Sequence, residues 1–133
     1  MILVCDVGNT ETTLGVYEGE TLRAHWRIMT DVPRTADEFG LLLRQLLIDE
    51  GIKPTHVSGA CIASVVPRVT APLTAACTAW LVDKPVHLVD GRSSLPITLG
   101  HDNTMADIET LLKKLPLGVQ KLRALAPLSP AHP

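Results

Sequence analysis

The order of apolar and polar positions divides the first two-thirds of the chain into strands and helices. Ile2, Leu3 and Val4 open an apolar run that continues through Cys5, Asp6 and Val7 and is broken by Gly8, Asn9 and Thr10. A run rich in β-branched residues and closed by Gly and Asn predicts a buried strand ending in a tight turn. A second run of this kind, residues 12–17, follows at once, so the two form a hairpin. After a turn at residues 18–20, Leu22, Ala24, Trp26 and Ile28 alternate with Arg23, His25 and Arg27. That period of two predicts a third strand with the first set inward and the second in water, His25 among the solvated residues.

The period then changes. Thr35-Ala36-Asp37-Glu38 has the Thr-x-x-Glu form of a capping box, and Phe39, Leu42, Leu43, Leu46 and Leu47 follow at helical spacing, with Gly51 as the stop. Pro54 opens a connection to residues 57–66, a run of small and β-branched residues with few polar groups. A strand apolar on both faces belongs in the middle of a sheet covered on both sides. Pro67 suits the first turn of a second helix running through Val69, Leu73, Ala76 and Trp80, and residues 86–89 make a fifth strand. Three strands, a helix, a strand, a helix and a strand predict a mixed α/β sheet flanked by helices.

Beyond Asp90 the pattern weakens. Residues 91–94 and 101–104 read as loops and residues 95–99 as extended. Residues 105–115 suit an amphipathic helix with Ile108, Leu111, Leu112 and Leu115 on one side, and residues 119–125 a shorter helical pattern. Pro127, Pro130 and Pro133 predict a disordered tail.

Composition narrows the function classes. With 133 residues the chain is long enough for one domain with a real core. Aromatic residues are 3% of the chain, too few for a base-stacking platform. A net charge of −2 with a pI near 6.2 gives no electrostatic case for nucleic acid or an anionic membrane. Cys5, Cys61 and Cys77 have no metal-ligand spacing and predict buried free thiols in a reducing compartment. Neither a signal peptide nor an apolar run of membrane-spanning length is present, so the expected location is the cytoplasm.

The candidate chemistry lies in the first turn. Asp6 is expected near the end of a buried strand, where a carboxylate is costly unless paired, hydrogen-bonded or near a cation. Gly8 lets the backbone approach a ligand, and the amides and hydroxyls of Asn9, Thr10 and Thr12 can donate to phosphate oxygens. The other reading is a hairpin whose Asp satisfies the turn's own amides. Spacing alone leaves both open.

Five strands and two helices opened by a strand, an Asp and a Gly-rich turn resemble the ribonuclease H-like half-domain of the acetate kinase, sugar kinase, Hsp70 and actin superfamily. More specifically, Asp6-Val7-Gly8-Asn9-Thr10, Arg34-Thr35-Ala36-Asp37-Glu38 and Ser64-Val65-Val66-Pro67 resemble, in order and separation, the motifs of type III pantothenate kinases, the family that includes the Bvg accessory factor. Trp26-Arg27-Ile28 and Leu95-Pro96-Ile97 extend the resemblance over residues 1–103, leaving 104–133 as a divergent tail.

The resemblance implies ATP-dependent phosphorylation of pantothenate, the first step toward coenzyme A, with Mg²⁺ and a monovalent cation, K⁺ or NH₄⁺, as cofactors. Asp6 would hold Mg²⁺ and the phosphates, and Gly8, Asn9 and Thr10, with Thr12, would form the first phosphate loop. Thr35 and Glu38 are explained by the helix cap, whereas Ser64 to Pro67 either line the site or start a helix.

Past Asp102-Asn103 the family continues into Gly-Ala-Asp-Arg, whose Asp is the presumed base. This chain has Thr104-Met105-Ala106-Asp107-Ile108-Glu109. Asp107 is the candidate base by partial match: it comes early, without the preceding Gly or the following Arg.

The family's second half-domain, with its second phosphate motif and adenosine pocket, is not found in these residues. The expectation is therefore an incomplete kinase, joined as a homodimer or with a separate complementing chain that covers its exposed apolar surface. The alternative is a catalytically inactive nucleotide- or phosphate-binding module. A ribonuclease H-like nuclease needs an acid at the end of the fourth strand, where Ala63-Ser64-Val65 stands.

Overall fold

A computed structural model describes residues 1–81 and 86–89. The chain order is β1 (Ile2–Val7), β2 (Glu11–Glu18), β3 (Thr21–Met29), α1 (Ala36–Asp49), a short 3-10 turn at Pro54–His56, β4 (Gly59–Ser64), α2 (Pro67–Ala76), a π-helical turn at Cys77–Leu81 and β5 (Val86–Val89). The strands form one sheet in the order β3-β2-β1-β4-β5, a five-stranded mixed sheet with helices as expected. β1 pairs antiparallel with β2 and parallel with β4, and β5 is parallel to β4.

Burial assigns the two faces. Leu3, Cys5 and Val7 of β1, Leu14 and Val16 of β2 and Ala60 and Ile62 of β4 share one core with Phe39, Leu43 and Leu47 of α1 and Val69, Leu73 and Ala76 of α2. Among the described residues both helices thus pack on one face. The opposite face carries Val4, Tyr17 and Cys61, also buried, with Ile2, Leu22 and Ala63 against them. Among the described residues no helix is long and apolar enough to cross a membrane.

Local chemistry sets the ends of the elements. The predicted box at α1 is present: the Thr35 hydroxyl accepts from the Glu38 amide at 3.2 Å, and the Glu38 carboxylate accepts from the Thr35 amide at 2.6 Å. Gly51, at φ +71°, ends that region in the left-handed conformation that a residue with a Cβ resists.

Three expectations change. β4 is shorter than residues 57–66, because Val57 closes the 3-10 turn through its amide to Pro54 O (3.1 Å) and the Ser64 hydroxyl captures the Val66 amide (3.1 Å), ending strand geometry at both sides. α2 does not run as an α-helix to Trp80; it gives way to the π-helical turn after Ala76. Leu22 does not share a face with Ala24: Val16 pairs with Ala24 but Tyr17 with Leu22, so Arg23 is an extra residue that turns Leu22 to the Tyr17 side.

The domain boundary expected at residue 103, the helices expected over 105–115 and 119–125, and Asp107 lie outside the described residues.

Candidate phosphate-binding site

The first turn is built at the carboxyl end of β1. The Gly8 amide donates to Glu11 O at 3.0 Å, closing a tight hairpin, and an added Cβ at Gly8 would stand 3.0 Å from that same oxygen. A side chain at Gly8 would therefore crowd the turn's own carbonyl, before any ligand is considered. Asn9 and Thr10 are exposed at its tip. Beside it, the Val65 amide donates to Val7 O at 3.2 Å, so the ends of β1 and β4 stay together and α2 begins next to the turn. Helix α2 has Val66 at its N-cap and no capping side chain, leaving its positive dipole end to the first-turn amides and Arg68.

Asp6 is half-buried and pairs across the sheet with Thr13 of β2 and Ala63 of β4. The strand alternation puts it with Val4 on the face away from α1 and α2. Thr13 pairs in turn with Arg27 of β3, so Arg27, Thr13 and Asp6 form one row, a cation and a carboxylate two strands apart. The sequence reading gives Arg27 and Thr13 no role in the site. Alternation places Arg27 on the polar face, but only the pairing register brings it opposite Thr13.

The other candidates are distributed around this turn. Thr12, grouped with the phosphate loop in the sequence, is 1% exposed, and its hydroxyl lies 2.9 Å from that of Thr30. Ser64 is on the helix-covered side, opposite to Asp6, where its hydroxyl accepts from Thr70 Oγ1 at 2.7 Å and from the Val66 amide. Arg34 donates to Met29 O at 2.9 Å and holds its guanidinium 5.8 Å from the Phe39 ring centre, a bracing role at the entry to α1. The structure thus brings Asp6, Gly8, Asn9 and Thr10 to one end of β1 and keeps Ser64, Arg34, Thr35 and Glu38 in local structural bonds. Val65, Met29 and Val32 leave apolar side chains exposed at this end.

Chemically, the arrangement offers amides and hydroxyls to an anion and a carboxylate to a cation. Among the described residues no three His, Cys, Asp or Glu side chains gather into a metal set. A Mg²⁺ ion carried on phosphate oxygens needs only one or two protein carboxylates, and the position of Asp6 beside the turn fits that requirement.

Comparison with known proteins agrees with these motifs. The family model described as "Type III pantothenate kinase" matches residues 2–106. A type III pantothenate kinase from Anaeromyxobacter dehalogenans is 49% identical over 98 residues, 73% of this chain and 39% of that protein. One from Moorella thermoacetica is 42% identical over the same length, with the same shares of each chain. This chain therefore spans about two-fifths of the length of the relatives it matches. Among solved structures, a ROK hexokinase from Thermus thermophilus aligns with 67% of this chain and 33% of its own, at 17% identity and a TM-score of 0.49.

Proposed function

Because the chain belongs to the type III pantothenate kinase family, we propose that it carries the phosphate-binding half of an ATP-dependent pantothenate kinase. The observation that carries this reading is the Asp6-to-Thr10 turn. A half-buried carboxylate ends β1 beside a glycine-closed hairpin with Asn9 and Thr10 at its exposed tip, all inside the matched segment.

Phosphoryl transfer asks little covalent chemistry of a protein and much positioning and charge neutralisation. In this reading Gly8, Asn9 and Thr10 donate to phosphate oxygens of ATP, and Asp6 holds the nucleotide's Mg²⁺. The metal, when bound, neutralises charge on the transferring phosphate. Arg27, in the same row as Asp6, adds positive charge to that face. The acceptor is pantothenate, and residues outside this half complete the site.

The test is a coupled ADP-release assay with ATP, Mg²⁺, K⁺ and pantothenate, run beside Mg·ADP titration of the same protein and an Asp6→Ala control. Pantothenate-dependent turnover that the substitution abolishes supports the kinase reading in full. Mg·ADP binding lost in Asp6→Ala, without turnover, reduces it to a nucleotide-binding module. Binding and turnover that are both indifferent to Asp6→Ala would sink it.

A further inference from the structure

The segment after β3 grips the candidate turn from the side. Thr30, 2% exposed, donates its amide to Thr10 O at 2.8 Å and sets its hydroxyl 2.9 Å from that of Thr12. One residue later Asp31 accepts from Arg68, in the first turn of α2, at 3.3 Å. The same short stretch therefore touches the turn through Thr30 and α2 through Asp31.

We propose that Thr30 is a positioning residue for the phosphate turn, holding Thr10 by its main chain and Thr12 by its side chain. The inference rests on the phosphate reading of the turn. Within the hairpin one main-chain bond, Gly8 to Glu11, closes the loop, and a single such bond leaves the tip free to tilt. Thr30 adds a second fixed point on Thr10, at the tip itself. The paired hydroxyls are buried, where each needs the other: a hydroxyl taken out of water without a partner is costly, so the pair has one preferred geometry. That geometry fixes the start of β2 against the end of β3, and with it the direction in which the turn's amides point. Preorganised donors stabilise charge without having to move when it arrives.

Thr30→Val keeps the β-branched shape and the amide but removes the hydroxyl, whereas Thr30→Ser keeps the hydroxyl and removes a methyl group. The two separate hydrogen bonding from packing. On the full chain, amide hydrogen exchange at Gly8 and at residue 30 reads the clamp, and calorimetric titration with Mg·ADP reads its effect on binding. The expected result for Thr30→Val is exchange about three- to tenfold faster at both amides and Mg·ADP affinity weaker by about the same factor, the worth of one neutral hydrogen bond. Thr30→Ser should restore both.

Unchanged exchange in Thr30→Val would overturn the clamp. Faster exchange with unchanged affinity would overturn its role in positioning and leave a merely structural bond. A wild-type chain that does not bind Mg·ADP, but whose exchange still responds, would overturn the phosphate reading on which the positioning role depends. Should Thr30→Val fail to fold, Thr12→Val removes the other hydroxyl of the pair and is judged by the same outcomes.

Discussion

Trp80 lies directly over Gly40. A Cβ built on Gly40 would stand 2.5 Å from the Trp80 Cγ and 2.9 Å from its Cβ, so the π-helical turn is seated against α1 through a missing side chain. Arg44, one turn along α1, closes over the ring with its guanidinium 5.7 Å from the centre. Gly40→Ala must displace the turn's backbone as well as the indole, and the expected cost is about 1–3 kcal/mol in denaturant melts. In a Trp80→Gly background the crowding Cβ, Cγ and Cδ1 are all gone, and the helix preference for Ala over Gly takes over. There the same change should stabilise by up to about 1 kcal/mol. An equal effect in both backgrounds would contradict the seating.

The cap on α1 has its own acid signature. The Thr35 amide, then the Thr35 hydroxyl, hold the Glu38 carboxyl below its usual range. With the folded-state pKa lowered, the contribution is present above the ordinary glutamate value and is lost as pH falls through the lowered one. Thr35→Ala is expected to destabilise by about 1 kcal/mol at neutral pH. Its difference from wild type should narrow in acid, as followed by urea melts at descending pH.

His87 works in the same direction nearer neutrality. It is 1% exposed on the face that carries Cys61, with which it pairs across β4 and β5, and neither ring nitrogen meets a partner among the described residues. Burial lowers its pKa below the ordinary 6.5. Between that value and the lowered one the unfolded chain binds the extra proton, so stability falls as pH drops through this window and is unaffected above it. His87→Leu should flatten the slope of stability against pH just below neutrality. A slope that survives the substitution would assign the proton elsewhere.

The three cysteines are expected to be silent toward alkylating agents. All are buried, and desolvation pushes the Cys61 thiol up to about 12. Cys5 is raised through its hydrogen bond with Cys77 and by burial. Since the thiolate is the nucleophile, intact protein treated with iodoacetamide at mildly alkaline pH should gain no adducts, and denatured protein three. Rapid labelling of Cys61 in folded protein would show that its face of the sheet opens.

What the sequence reveals here depends on how local the cause is. The hairpin, the capping box, Gly51 and the stripe of α1 follow from residues a few positions apart, and each was legible. The Asp6-to-Thr10 turn is equally plain as a motif, but the bond between Thr12 and Thr30 spans eighteen positions and depends on how β2 and β3 align. Thr12 therefore looked like another loop donor. The face assigned to Leu22 failed for a related reason, because an extra residue in one strand shows only against its partner. Likewise, nothing in Gly40 or Trp80 alone announces that one makes room for the other.

That extra residue has one more consequence. Among the described residues β3 is an outer strand of the sheet, and a long regular margin invites a neighbouring molecule to continue the ladder of hydrogen bonds. At Arg23, which pairs with Glu18, the spacing of donors and acceptors falls out of step, and the exposed side chains of Arg23 and Arg27 stand along the same border. A second molecule approaching in this way would find no straight template to zip onto. The irregularity makes this margin a poor seed for fibrillar or edge-to-edge aggregation, and so protects the state in which the Asp6-to-Thr10 turn is formed.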